Sequence, residues 1–198
     1  MKIQPSNKRA LLKAALGTIE SDMVITNVQL VNVITGEIYP ADVFVYDGMI
    51  AHVEYREPGK ELSKAKQVVD GEGRYLIPGF IDAHEHIESS MMTPAGFSRA
   101  LLRNGVTTCV AEPHEIANVM GYEGVEEFIH QGRECQADIL WGIPSSVPCS
   151  PYETTGGRIE LADALELTKE ADVACLGEVM NCYSVLHEPN GKIRQWLE

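Results

Sequence analysis

Positive charge is scarce in this sequence. Its 198 residues hold 16 Lys and Arg against 29 Asp and Glu, a formal net charge of −13, and no basic cluster occurs. Affinity for nucleic acid rests on grouped Lys and Arg that neutralise phosphates, so the composition excludes a phosphate-backbone binder. The same acidity works against attraction to anionic membranes. No apolar run approaches the ~20 residues that a spanning helix needs. Residues 1–9 lack the apolar core of a secretory signal. Together these absences predict a cytoplasmic protein with no nucleic-acid and no membrane partner. Cysteine pairs are also lacking: five cysteines, at 109, 135, 149, 175 and 182, form no CxxC and are odd in number. Several sit in apolar runs, so reduced, buried thiols are expected rather than a disulfide framework.

What is present is ordinary globular material, 44% hydrophobic and 23% charged, at a length suited to one large domain or a small domain plus part of another. Residues 6–19 have Leu11, Leu12, Ala15 and Leu16 at helical spacing, with Ser6 or Asn7 as an N-cap and Gly17 near the end, and so predict a short amphipathic helix. From residue 22 β-branched residues dominate. Strands are expected over 23–33, 41–46 and 49–54, the last two joined across Asp47-Gly48, a strong hairpin signal. The pattern predicts an N-terminal helical segment (1–21) and a small, mostly antiparallel β module (22–76).

After residue 76 strands alternate with helices. Strands are expected at 80–83, 106–111, 137–143 and 173–177, and helices at 95–103, around 124–131 and at 160–169. Such alternation implies a parallel sheet with helices outside it. Residues 144–157 form a long loop after the third of these strands, placed to cover a ligand, and Gly156-Gly157 reads as a flexible pair. Met91, Met92 and Met180 are expected as core fillers.

The sharpest chemical signal is Pro78-Gly-Phe-Ile-Asp-Ala-His-Glu-His-Ile87. His84 and His86 are two apart at the end of an apolar strand, so both rings project from one face while Glu85 points away. Neutral imidazoles suit zinc, iron and similar divalent ions, and strand ends of a parallel barrel open onto its catalytic face. His52, His130 and His187 have no clustered partners and carry no assignment.

The stretch from His84 to Met91 and the later run Glu112-Pro-His-Glu-Ile-Ala-Asn-Val119 resemble the metal-dependent amidohydrolase superfamily, and within it the adenine deaminases. The resemblance runs from about residue 22 onward. It implies an α/β fold, the first half of a (β/α)8 TIM-type barrel preceded by a small β-sandwich-like module, with 77–198 forming the first four βα units. It implies His84, His86 and Glu178 as metal ligands, Glu178 bridging two divalent ions of Mn, Fe or Zn. It marks Glu88 and His114 as candidates for catalysis, and Ser89, Glu112 and His114 as candidates for substrate binding. The implied reaction is hydrolytic deamination of a small purine base, adenine, to hypoxanthine and ammonia, by a homo-oligomer when complete. The base and further ligands that the resemblance implies on later strands would lie beyond residue 198, so the 198-residue chain alone is expected to be inactive. Two alternatives stand beside this: an amidohydrolase acting on a cyclic amide or another aminated heterocycle, and a non-catalytic half-barrel that binds a partner chain.

Overall fold

A computed structural model describes residues 6–57, 59 and 64–197. The described residues form two compact units, one up to Pro78 and one from Gly79 onward.

The first unit begins with helix α1 (Lys8–Ala15), whose first turn is capped by Asn7 Oδ1 accepting from the Ala10 N–H at 3.1 Å. The helix is shorter than the expected 6–19 because Gly17 takes a positive φ of 65° and turns the chain out. Strands β1 (Ser21–Asn32), β2 (Glu37–Tyr46) and β3 (Met49–Tyr55) follow. Asp47 and Gly48 both have positive φ, 52° and 70°, the requirement of a tight hairpin turn whose twist matches its strands. Strands β4 (Ala65–Asp70) and β5 (Tyr75–Leu76) then pair parallel to β1. The module is therefore a mixed five-stranded sheet, antiparallel along β1–β2–β3 as its hairpins suggested and parallel where β4 and β5 join β1. The core comprises Val24, Val28, Ala41, Val43 and Phe44, with Ala14 of α1 also buried.

Among the described residues of this unit, Asp42 is a buried charge. Asp42 Oδ1 accepts from the Thr26 hydroxyl at 2.5 Å, the Asn27 N–H at 2.9 Å and Arg56 Nη1 at 2.7 Å. The register shift between Ile25 and Val28 coincides with this network, where the irregular backbone frees the Asn27 N–H for the carboxylate. Burial raises the Asp42 carboxyl, but these donors outweigh it and hold it below the usual carboxylate range.

The second unit has four parallel strands in the order β6-β7-β8-β9: β6 (Phe80–Glu85), β7 (Val106–Ala111), β8 (Asp138–Ile143) and β9 (Val173–Leu176). Parallel neighbours require crossovers, here supplied by α2 (Pro94–Arg103), α3 (His114–Arg133) and α4 (Leu161–Leu167). Two short helices, α5 (Cys182–His187) and α6 (Lys192–Leu197), follow β9. Alternate strand residues Cys109, Ala111, Ile139, Trp141 and Ile143 pack with Phe97, Leu101, Val125, Ile129 and Leu167 of the helices in one cluster. That cluster holds the strand ends at a common edge.

Several local expectations change. Helix α3 starts at His114, ahead of the expected 124–131, so the stretch after Pro113 is helical. Gly121 (φ 63°, ψ −146°) breaks the helix, and the Gly156-Gly157 backbone docks at the break, with both N–H groups donating to the Asn118 carbonyl at 2.8 and 3.0 Å. A Cβ on Gly157 would lie 2.1 Å from the Gly121 nitrogen, so this pair serves close approach rather than flexibility. Among the cysteines only Cys109 is buried, its thiol pushed by burial up to about 12; Cys175 and Cys182 are exposed, and all five are free. Met91, Met92 and Met180 are exposed too, so they do not fill the core. No described helix is long and apolar enough to cross a membrane.

Candidate metal centre

His84 lies near the end of β6 and His86 just beyond it, where a 3₁₀ turn (Ile87–Ser90) begins. Glu112 directly follows β7, His114 opens α3, and Glu178 stands two residues past β9. Parallel register puts all of these at the C-terminal ends of their strands, the edge where barrel enzymes carry their chemistry.

The donors converge. His84 Nε2 is 3.1 Å from His86 Nε2 and 3.1 Å from Glu178 Oε1, while His86 Nε2 is 3.5 Å from Glu178 Oε2. One ligand atom from each of His86, Glu112, His114 and Glu178 lies within 4.8 Å of the others. The His86 and His114 rings meet edge to face at 4.7 Å between centroids, and those of His84 and His86 at 4.8 Å.

Each group is oriented by the backbone around it. His86 Nδ1 lies 3.0 Å from the Glu112 carbonyl oxygen, an acceptor only, so Nδ1 carries a proton and donates. In the neutral ring this turns the Nε2 lone pair toward His84 and Glu178. Burial lowers the His86 pKa, but that carbonyl and the charges of Glu115, Glu178 and Glu112 raise it more, leaving it above the ordinary value. Glu112 is 2% exposed; its Oε2 accepts from the Glu178 N–H at 2.8 Å, and its Oε1 has no hydrogen-bond partner. Burial first, with the Glu178 charge adding to it, pushes the Glu112 carboxyl up to about 7 against the lowering effect of that N–H. His114 Nδ1 is likewise buried without a hydrogen bond, 3.9 Å from Glu112 Oε1 and 3.9 Å from Glu178 Oε2.

Glu88 and Ser89 act one step back. Glu88 Oε1 accepts from the Ile116 N–H at 3.1 Å, supplying the cap that Pro113, at the N-cap of α3, cannot provide. Burial raises its carboxyl. The Ser89 hydroxyl donates to Glu115 Oε1 at 2.7 Å and leaves Glu115 Oε2 between His86 Nδ1 (3.4 Å) and His114 Nε2 (3.9 Å).

Three residues here escaped the sequence reading. Ser145 donates to the Glu178 carbonyl at 2.5 Å, and Ser146 Oγ accepts from the Met180 N–H at 3.2 Å, so the end of β8 braces the turn that carries Glu178. Their place right after a strand was the signal that could have found them. Gly177 lies against Glu112, where an added Cβ would be 2.6 Å from the carboxyl carbon. Beside the donors, His114, Asn118, Ser146, Cys149, Glu153, Thr154 and Met180 line a cleft of about 350 Å³, walled in part by the 144–157 loop.

Comparison with known proteins bears on this arrangement. An adenine deaminase 2 from Shouchella clausii is 45% identical over 177 residues, covering 89% of this chain and 31% of that protein. An adenine deaminase from Bacillus subtilis is 38% identical over 196 residues, covering 97% of this chain and 33% of that protein. The chain thus spans about a third of the length of the curated relatives it matches. A solved β-aspartyl dipeptidase from Fervidobacterium islandicum shares the fold at 20% identity, with a TM-score of 0.52 over 81% of this chain and 41% of that one. The model of the amidohydrolase family matches residues 75–181, which take in both histidines of the β6 end and Glu178. By that match, over more than half of its residues, the chain belongs to the amidohydrolase family.

Proposed function

We propose that this chain is part of an adenine deaminase, which hydrolyses adenine to hypoxanthine and ammonia, and that His84, His86 and Glu178 hold a divalent ion there. The observation that carries the reading is the pairing of two imidazole Nε2 atoms 3.1 Å apart, each facing one Glu178 oxygen, His84 at 3.1 Å and His86 at 3.5 Å. Two carbonyl-oriented or strand-held imidazoles with a carboxylate are a donor set that fits Mn, Fe or Zn. The choice of adenine rests on what the relatives are named. In this reading residues 77–198 are the first four βα units of a (β/α)8 barrel, and residues 22–76 belong to a β-sandwich-like module with α1 (Lys8–Ala15) ahead of it in the chain.

His84, His86 and Glu178 would hold the ion, which when bound would supply an activated water near neutral pH and polarise the substrate. The residues of the chain prepare that chemistry. Glu112 fixes Glu178 through its N–H and fixes His86 through its own carbonyl, so one residue aligns two ligands. His114, Ser146 and Thr154 in the adjoining cleft offer polar groups at the scale of a purine, with the 144–157 loop forming one wall. Glu88 is engaged in capping α3 and supports the site through the position of His114 and Glu115.

The test is an ammonia-release assay on the gene product that carries this chain, offering adenine, adenosine, guanine, cytosine and dihydropyrimidines in parallel. Adenine is expected to give the highest kcat/KM. A clear preference for any other substrate defeats the assignment.

A further inference from the structure

We propose that Thr155 is a positioning residue: its hydroxyl clamps the 144–157 loop to Asn118 of α3, so that the loop meets a substrate as a fixed wall of the cleft and not as a lid that closes over it. This rests on reading the cleft beside the strand-end donors as the place where the substrate sits. Glu153 and Thr154 of the loop line that cleft together with His114 and Asn118 of α3, whereas Thr155 does not. Thr155 therefore acts through its neighbours. Its hydroxyl lies 2.7 Å from the Asn118 carbonyl oxygen, 2.8 Å from that of Gly157 and 3.1 Å from Asn118 Oδ1. A hydroxyl has one proton to donate, and the Asn118 carbonyl is its nearest acceptor.

The backbone around this hydroxyl is shaped for contact. Asn118 lies one turn beyond His114, and the helical dihedrals of α3 fail soon after it, at Gly121. The Gly156 and Gly157 N–H groups donate to the same Asn118 carbonyl at 2.8 and 3.0 Å. A Cβ on Gly156 would lie 2.8 Å from the Val119 carbonyl oxygen, and one on Gly157 2.4 Å from that of Ala117. Glycine at both positions lets the two backbones touch, and the Thr155 hydroxyl is the side-chain part of that contact. Separate bonds hold the rest of the loop. The Ile159 N–H donates to the Val147 carbonyl at 3.2 Å and brings the loop ends together, and Lys192 Nζ donates to the same carbonyl at 3.3 Å. Within the loop the Cys149 N–H donates to Glu153 Oε2 at 2.8 Å. A loop with closed ends, internal bonds and a backbone dock has little freedom left to lose on binding. Released from the clamp, it would have to be ordered again by each substrate molecule. Only the ordered fraction would then bind, so the cost falls on affinity and not on the chemical step.

The experiment uses the gene product that carries this chain and compares three variants, each checked for folding by circular dichroism. Thr155→Val keeps the shape and removes the hydroxyl, Thr155→Ser keeps the hydroxyl, and Gly157→Ala breaks the dock by a steric route. Steady-state kinetics on adenine and the other substrates of the panel are read beside hydrogen exchange of the 149–157 amides. Thr155→Val is expected to raise KM by about tenfold, the effect of one lost hydrogen bond, with kcat within about twofold of wild type. Gly157→Ala should do the same, Thr155→Ser should restore the wild-type KM, and the loop amides should exchange faster in the two impaired variants alone. A wild-type KM in Thr155→Val overturns the proposal, as does a fall in kcat at unchanged KM. Unchanged exchange of the loop amides overturns it too, whatever the substrate. If the wild-type protein prefers another substrate to adenine, the adenine reading fails, and the split between KM and kcat on that substrate still decides the role of Thr155.

Discussion

Replacing Gly177 by Ala should disturb the proposed metal centre without touching a ligand. The new Cβ would lie 2.6 Å from the carboxyl carbon of Glu112 and 2.7 Å from both its Cγ and Oε1. Carbon atoms pack at about 3.5–4.0 Å, so the carboxylate must retreat by about 1 Å. The 2.8 Å bond from the Glu178 N–H to Glu112 Oε2 then stretches beyond hydrogen-bonding range. Overpacking of this kind costs about 1–3 kcal/mol and the lost bond about 1 kcal/mol more. Because the Glu112 carboxylate holds the Glu178 backbone, metal affinity should fall by about 10–100-fold, the usual effect of losing an orienting partner. Chelator competition with Mn²⁺ reads the affinity and urea unfolding reads the stability. A double-mutant cycle sharpens the test: in a Glu112→Ala background the clash has no partner, so Gly177→Ala should add little. Affinity within twofold of wild type in the single variant would refute the reasoning, as would an equal penalty in both backgrounds.

Two other outcomes follow from the electrostatics and the caps. Asp42 has a folded-state pKa below its ordinary value, so its contribution is fully present above the unfolded value of about 3.9 and is lost as pH falls through the folded one. The protection of the β1 and β2 amides against hydrogen exchange, measured relative to their intrinsic rates at each pH, should fall more steeply on acidification in wild type than in Asp42→Asn; parallel curves would show that the Thr26–Asp42–Arg56 network does not set the acid limit. Glu88→Ala should destabilise the unit by about 0.5–2 kcal/mol through loss of the α3 cap, whereas Glu88→Gln, which keeps an acceptor for the Ile116 N–H, should restore most of both stability and turnover. A Gln variant as inactive as Ala but fully stable would instead assign Glu88 to the chemistry.

The His84–His86 pair was legible because its geometry is local: on a strand, residues two apart share a face whatever the rest of the chain does. The β2–β3 hairpin was legible for the same reason, since Asp47-Gly48 accepts positive φ at both turn positions. The parallel alternation after residue 76 followed from pattern and segment length, as the observed order β6-β7-β8-β9 reflects. The parallel pairing of β4 and β5 with β1 was not legible, because strands that return from a distance carry no local mark of direction. Nor was the cap on α3. Pro113 offers no capping side chain, and the acceptor arrives from Glu88, 28 residues away from the amide it serves.

By itself the sequence determined which residue types stand at strand ends: two histidines after one apolar run, Glu112 and His114 after the next, Glu178 after the last. Only the tertiary structure decided that Glu112 and Glu178, 66 residues apart, share a hydrogen bond, and that His114 faces both carboxylates. The physical reason is that side-chain period is a property of one strand, whereas distance between strands depends on register. Register here comes from the packing of Cys109, Ala111, Ile139, Trp141 and Ile143 against the helices, together with the pairings Ala111↔Trp141 and Ile143↔Leu176. Gly177 shows the division at a single residue. Its missing side chain is visible in the sequence, but the carboxylate that needs the space is brought there only by the fold.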